Sequence, residues 1–442
     1  MLPGPRTCPV PPCGQSIRGP DMKIDPGAGP LRAFRSRNFR LFALGQVLSL
    51  AGTRIHEVAA GWLMWQLTGS ATWLGVLALA EILPRLLLWP ISGLVADSLD
   101  RRRVALIFQT LAAIEAGVLA VLQALGLVNE WILVLATVLL GLNSTFWQPV
   151  RLTLIPKLAP PEDLPNVIAL SSVLANVARV VGPIIAGPAI IWGGIGMAFA
   201  LNGLSFVAVV AALLMMDLTA GDTRPPRRKS RGSVWQGIAV VAAHPGMRPL
   251  FIMIGIFAVA VRPLADLLPA FAEGVFDKGP GGFAALISAM GGGALCAGLL
   301  LSWRQQYSGL TTILAVFGMI GATATALFAL TTNSIIALAL MFFVGVGVTG
   351  KNIVAQTLVQ SGLDDEVRGR VFSFYSVIFN AAPSGGALLL GYIGDVVGIR
   401  APVVVAAMVG LAASLMIFTR RKSLAPHLEV TAAETEPVGQ TA

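Results

Sequence analysis

Residues Trp73 to Ala124 read WLGVLALAEILPRLLLWPISGLVADSLDRRRVALIFQTLAAIEAGVLAVLQA. Two long apolar runs, 73–96 and 104–124, flank a short charged hairpin. A bilayer hydrocarbon layer of roughly 30 Å needs about 20 apolar residues per helical crossing, so each run suffices for one membrane helix. The same punctuation recurs outward in both directions. Apolar segments fall at 39–62, 73–96, 104–124, 131–150, 166–190, 196–216, 249–272, 282–303, 311–330, 334–357, 369–391 and 401–419. The reading is an all-α membrane protein with twelve transmembrane helices in two pseudo-symmetric six-helix bundles.

Composition agrees. The chain has 442 residues, 55% hydrophobic and 12% charged, with mean hydropathy +0.78, more apolar surface than a water-soluble fold can hide. A lipid bilayer is the expected partner. Many of the 48 glycines lie inside apolar runs such as GGGALCAGLLL, where small residues let helices approach closely. The net charge of +9 gathers in short clusters between apolar segments, without a nucleic-acid motif, so no nucleic-acid partner is expected. Cys8, Cys13 and Cys296, with His56, His244 and His427, form no spaced metal set. Neither metal, disulfide nor cofactor is expected. Residues 1–21 lack the apolar core of a secretory signal, and Met22 is an alternative start.

Basic residues accumulate on the cytoplasmic side of membrane proteins. With a cytoplasmic N-terminus, that side receives the basic residues up to Arg40, Arg101 to Arg103, Arg151, Lys157, the 218–248 stretch, Arg304, Arg368, Arg370 and Arg420 to Lys422, and the other side only Lys278 and Arg400. This predicts a multi-pass inner (plasma) membrane protein with both termini cytoplasmic and an even number of crossings. The divisions are a tail over 1–35, a six-helix bundle over 36–217, a cytoplasmic linker over 218–248, a second bundle over 249–420 and a tail over 421–442. Gly93 and Gly298, each ending the second segment of its half, suggest an internal repeat.

Three motifs resemble the major facilitator superfamily, and within it the siderophore-exporter-like, transmembrane secretion effector group, from Leu31 to Lys422. Gly93-Leu-Val-Ala-Asp97-Ser-Leu-Asp-Arg101-Arg102-Arg103 is similar to the superfamily loop between helices two and three, with Asp100 where the general pattern has glycine. Gly182-Pro183-Ile-Ile-Ala-Gly187 is similar to the helix-five element of the antiporter branch, with Ala186 for a glycine. Val367-Arg368-Gly369-Arg370-Val371 resembles the narrower group. The resemblance implies a conformational latch in which Asp97, with Arg101 and Arg102, holds the segment around Arg368 and Gly369 in the outward-facing state. Simple topogenic charge is the alternative. For Gly182, Pro183 and Gly187 it implies a seal against leak; plain helix packing accounts for them equally.

Charges inside membrane segments are costly and mark candidate function. Arg54 and Glu57 are three apart, Glu81 and Arg85 four apart, and Arg262 and Asp266 four apart, so each pair shares a helix face. Glu115, Arg179 and Lys351 lack a local partner and need one across helices, in water or in substrate. Proton coupling requires an occludable carboxylate, which favours Glu57 and Glu81, then Asp266. Structural ion pairs are the rival reading. Gly345-Val-Gly-Val-Thr-Gly350-Lys351-Asn352 approaches a phosphate-binding loop, but Asn352 replaces the magnesium-binding hydroxyl and no strand precedes it. Lys351 reads instead as a cavity cation or a snorkelling side chain. Trp62 and Trp65 suit an interfacial belt, and Asn143, Gln148, Asn166 and Asn176 suit either a polar pathway or polar glue between helices.

The expected activity is secondary active export of a small organic molecule, a drug, siderophore or other metabolite, by alternating access, with protons as the coupling ion and a monomer as the working unit. Uptake of a nutrient or metabolite is the alternative, followed by a non-transporting membrane sensor. The chain shows no nucleophile or metal pattern of an enzyme.

Overall fold

The computed structural model describes residues 32–98, 100–216, 234–303, 309–361 and 365–429. Among them all regular structure is helical. The first half holds α1 (Arg37–Thr68), α2 (Ala71–Ser98), α3 (Arg101–Ala124), α4 (Glu130–Leu154) and the long α5 (Leu164–Met215). The second holds α6 (Val234–Ala243), α7 (Met247–Ala260), α8 (Leu264–Gly274), α9 (Gly279–Ser302), α10 (Leu310–Leu330), α11 (Ser334–Ser361), α12 (Asp365–Val397), α13 (Arg400–Thr419) and α14 (Arg421–Leu428).

Local chemistry sets several helix ends. Side chains of Asn129 and Asn333 accept from the amides of Ile132 and Ile335, both at 2.9 Å, so α4 and α11 begin on capped amides. Asp100 does the same for α3, accepting from Arg102 N at 2.8 Å and Arg103 N at 3.2 Å. That explains a carboxylate where the general loop pattern has glycine. Gly69, with φ 59°, closes α1 by donating to Trp65 O at 2.8 Å.

Ten helical spans among the described residues are long and apolar enough to cross a membrane. The 52-residue α5 counts as one of them, although Gly194 (φ 73°, ψ 173°) divides it into two limbs. These limbs are the fifth and sixth segments expected at 166–190 and 196–216, joined by a glycine turn rather than a loop. The 32-residue α1, whose hydropathy Arg54, His56 and Glu57 lower, is the remaining crossing. The seventh segment is α7 and α8 together, broken around Pro263, which offers no amide to continue the helix. Among the described residues that makes twelve crossings. Large apolar side chains such as Leu44, Leu87, Trp192 and Ile335 stand exposed on the outside, as a protein solvated by lipid requires.

Backbones approach closely where glycines cross. A Cβ on Gly345 would lie 1.9 Å from Met290 O of α9, one on Gly347 would lie 2.2 Å from Gly321 N of α10, and one on Gly350 would meet the Phe317 ring at 2.5 Å. The glycine run that imitates a phosphate-binding loop is therefore a packing seam inside the unbroken α11, which supports excluding nucleotide there. Within the stretch read as the linker, α6 is helical and packs on α12, with Gly237 against the backbone of Arg370.

The helices run between two ends of the bundle. One end, here the linker end, carries the start of α1, the α2–α3 turn, α6 and α14; the distal end carries Gly69, Gly194 and the α12–α13 turn. The halves meet along α2 with α12, α1 with α8, and α5 with α9. Glycines bring them close at the distal end: Gly75 against Leu388, Gly391 against Ala71, Gly187 against Ala284, and Gly61 beside Pro269 and Phe283. Trp62 belongs to this seal. It is only 3% exposed and stacks on Phe283 at 6.4 Å, so it is not the interfacial residue the sequence suggested. Trp65, half-buried, lies beside Gly274 of α8.

Candidate functional site

Three helices bring the sequence-marked charges together between the halves. On α1, Arg54 donates to Glu57 Oε2 one turn on. On α2, Arg85 Nη2 stands 3.9 Å from Glu81 Oε1. On α8, Asp266 lies one turn after the break at Pro263 and is exposed to the space between the bundles. Glu57, Glu81 and Asp266 are within electrostatic reach of one another, with Arg54 and Arg85 alongside Glu57. Three carboxylates from both halves thus share one site. A lone charge at mid-membrane costs about 2.5–3.5 kcal/mol on insertion scales, so clustering with arginines lowers the cost of holding them there. Along α1, α2 and α8 the three carboxylates lie on the linker side of the distal contacts at Gly61, Gly75 and Pro269.

Arg262 departs from its expected pairing along the helix. Its guanidinium donates to the backbone carbonyl of Phe379 on α12 and lies 4.2 Å from the centroid of that ring, while staying within electrostatic reach of Asp266. Lys351, 2% exposed, points across to α7 and sits 4.7 Å from the centroid of Phe257. It is buried, not snorkelling.

A buried polar pair that the sequence did not reveal lies beside this cluster. His56, adjacent to Glu57 and 1% exposed, accepts at Nδ1 from Asn202 Nδ2 at 3.2 Å and packs on Phe199. Ser205 donates to Asn202 O at 2.7 Å, and Gly52 makes room, since a Cβ there would fall 2.2 Å from Ser205 Oγ. The pair ties α1 to the second limb of α5, leaving His56 Nε2 buried without a hydrogen-bond partner among the described residues. Only its place next to Glu57 could have signalled it.

The distal seal has a polar lock. Asp395, near the end of α12, accepts from Ser70 Oγ at 2.5 Å, Ala71 N at 2.7 Å, Thr72 N at 3.0 Å and Thr72 Oγ1 at 2.6 Å. A carboxylate from one half thereby caps the positive start of α2 in the other.

At the linker end, Arg102 Nη2 donates to Leu214 O of its own half at 2.8 Å, Arg101 is half-buried, and a Cβ on Gly369 would meet nothing within 4 Å. Gly93 and the side chains of Asp97, Arg179 and Arg368 lie outside the described residues. In the helix-five motif, Gly182 packs on α1, where a Cβ would be 2.4 Å from Arg54 Cβ, and Gly187 faces α9 of the other half, 2.8 Å from Ala284 Cβ. Pro183, between them, is buried. One glycine therefore serves the bundle and the other the seal. Asn166 accepts from Ala33 N at 3.0 Å, joining the start of α5 to the chain before α1. Glu115 on α3 buries both carboxylate oxygens without a hydrogen-bond partner among the described residues.

A family model described as transmembrane secretion effector matches residues 28–437. The chain belongs to that family. Its relatives include macrolide efflux protein A of Streptococcus pyogenes, 23% identical over 370 residues, covering 80% of this chain and 89% of that protein. The staphyloferrin A transporter of Staphylococcus aureus is 23% identical over 370 residues, covering 81% of this chain and 90% of that protein. Among solved structures, a bacterial homologue of the human lysosomal transporter Spinster superposes with TM-score 0.72 at 13% identity, over 92% of this chain and all of that one. That likeness shows the fold alone. This secretion-effector chain is a multi-pass membrane transporter of the major facilitator superfamily.

Proposed function

We propose that this chain exports a small organic molecule from the cytoplasm by alternating access, in exchange for protons moving inward. The observation that supports the reading is the cluster of Glu57, Glu81 and Asp266, drawn from both halves and lying on the linker side of the distal contacts between them. The efflux relative supports the direction. The excess of Lys and Arg at the linker end supports a cytoplasmic placement of that end and of both termini.

In this reading the bodies 36–217 and 249–420 rock about the cluster, joined by the 218–248 linker, and one chain contains the whole pathway, so a monomer works alone. Substrate enters the linker-side cleft. The distal contacts at Asp395 then release, and the cleft closes at the linker end as Asp97, with Arg101 and Arg102, latches the start of α12 near Arg368 and Gly369. Exposure to the distal side lets the carboxylates take protons; return to the cytoplasmic side lets them go. Arg54, Arg85 and Arg179 tune that exchange. Gly182, Pro183 and Gly187 keep the α5 contacts tight enough to prevent leak.

Proteoliposomes carrying an internal pH dye test the coupling. Concentrated medium from cells producing the protein should drive proton movement through the wild type, and at least tenfold less through Glu57→Gln or Glu81→Gln. Substrate movement without proton movement in the wild type would reject the coupling.

A further inference from the structure

The last described residues of the chain fold back onto the linker end of the second bundle. Leu424 and Leu428 of α14 are buried. A Cβ on Gly246, in the turn between α6 and α7, would fall 2.9 Å from His427 Cβ and 3.0 Å from Leu428 Cγ. Just past α14, Glu429 accepts from Gly309 N at 2.6 Å and from Thr311 N at 2.7 Å, so it caps the first amides of α10. The same short helix also touches α11 and α13. It thereby clasps the starts of α7 and α10, which α8 and α9 separate along the chain.

His244 shapes the surface that the clasp closes on. Its Nδ1 accepts from Gly246 N and Met247 N, both at 3.2 Å, and Gly246 is where His427 and Leu428 rest. An imidazole nitrogen accepts only while it carries no proton. Protonation at Nδ1 sets a donor against two donors, so both bonds break. The surrounding charge works in the same direction. The elements packed here carry Arg248 on α7, Arg370 on α12, the basic run Arg420 to Lys422, and His427 and Glu429, while α6 has no titratable side chain. His427 is within electrostatic reach of His244, and two imidazolium charges at one turn repel. The nearby carboxylate, Glu429, is engaged with the α10 amides.

We infer that α14 is an acid-released clasp: protonation of His244, with His427 beside it, frees this helix from the α6–α7 turn and loosens the starts of α7 and α10. Burial, and then His427, hold the His244 pKa below its ordinary value while the clasp is shut. The open form therefore takes the proton more readily. The clasp is fully favoured above about pH 6.5 and weakens as pH falls through the lowered value. Under the proposed exchange each cycle releases protons at the linker end, so accumulated protons act back on the protein that delivered them. Only that consequence rests on the export reading.

Hydrogen–deuterium exchange of the purified full-length protein in neutral detergent tests the clasp without any substrate. Labelling at about pH 7.5 and about pH 5, on either side of the histidine range, is timed to cancel the intrinsic change in exchange rate. In the wild type, protection of the amides from Leu424 to Glu429, and of Gly309 and Thr311, should fall about fivefold or more at the lower pH. The middle of α10 should keep its protection. His244→Asn accepts at the turn but does not titrate, so its protection should stay nearly level. His427→Gln, at an exposed position, should lessen the fall. Glu429→Gln keeps both histidines, so its protection should be lower at both pH values and still fall on acidification. Unchanged wild-type protection, or a fall abolished by Glu429→Gln, would overturn the inference. So would a fall undiminished in a folded His244→Asn protein or, if that variant does not fold, in His427→Gln. An intact clasp response in a protein that moves no substrate rejects the export reading alone.

Discussion

Asp395 and Thr72 join the two halves of the molecule: one carboxylate oxygen, Oδ2, accepts from both the hydroxyl of Thr72 at 2.6 Å and its amide at 3.0 Å. With Ser70 and Ala71 added, four donors from the start of α2 converge on one side chain of α12. The contact exists only while the distal ends are together. In the proposed alternating-access cycle it therefore weights the equilibrium between the two access states.

Replacing Asp395 with Ala should shift that equilibrium toward distal-open molecules. Loss of a helix cap and its charge costs about 0.5–2 kcal/mol, which changes the ratio of states by roughly two- to thirtyfold. Spin labels at the exposed distal positions Leu127 and Ile335 report the separation of the halves. A longer-distance population should grow in Asp395→Ala; an unchanged distribution would show that the apolar seal alone holds the end shut.

Asp97→Asn should act in the opposite sense. It removes the proposed latch of the distal-open state, so transport should fall at least fivefold with membrane insertion intact, and the distal labels should stay close together. Asp97 lies near the linker end of α2 and Asp395 near the distal end of α12, far enough apart for their effects to add. Asp97→Asn combined with Asp395→Ala should recover part of the wild-type distribution. Normal transport by Asp97→Asn would leave Arg101 to Arg103 as topogenic charges only.

The twelve segments and nearly all of their boundaries were legible because apolar length is a local property of the chain. Asp100 showed in the sequence only as a departure from the loop pattern, because the three arginines after it hide the start of the apolar run that it caps. The distal lock was not legible. Asp395 lies near the end of an apolar run, where a carboxylate reads as an ordinary edge charge, and its partners are more than 300 positions away. Arg262 and Asp266 share a helix register, but the break at Pro263 and the nearby Phe379 carbonyl redirect the guanidinium, which spacing alone does not encode. Trp62 resembled a belt residue because it sits near a helix end. It is instead covered by the other half, a fact of tertiary packing.

The glycine seam predicts a graded cost for adding one methyl group. Gly345→Ala brings Cβ within 1.9 Å of Met290 O, so α9 and α11 must separate, costing about 1–3 kcal/mol as in other overpacked interiors. Gly298→Ala meets nothing within 4 Å and should be neutral within about 0.5 kcal/mol. Thermal unfolding of the two purified variants checks the contrast. Equal melting temperatures would contradict the close crossing.

Acid should loosen the start of α7. His244 Nδ1 accepts from Gly246 N and Met247 N, both at 3.2 Å, and burial together with the neighbouring His427 pushes its pKa below the usual histidine value. A base whose folded pKa is lowered stabilises the fold fully above its ordinary value near 6.5, and that contribution disappears as pH falls through the lowered value. Melting temperature should be level above pH 7 and decline on acidification. His244→Asn, which keeps a capping acceptor but cannot titrate, should flatten part of the decline; an identical pH profile would contradict it.

If the carboxylates between the halves drive export, the composition of the culture medium depends on them. Cells with the wild-type protein, cells without it, and cells with Glu57→Gln combined with Asp266→Asn are to be compared by untargeted mass spectrometry of medium and cytoplasm. At least one compound should be enriched severalfold in the wild-type medium, depleted from those cells, and retained inside both other strains. The same distribution of compounds in all three strains, or greater accumulation inside wild-type cells, would contradict the account.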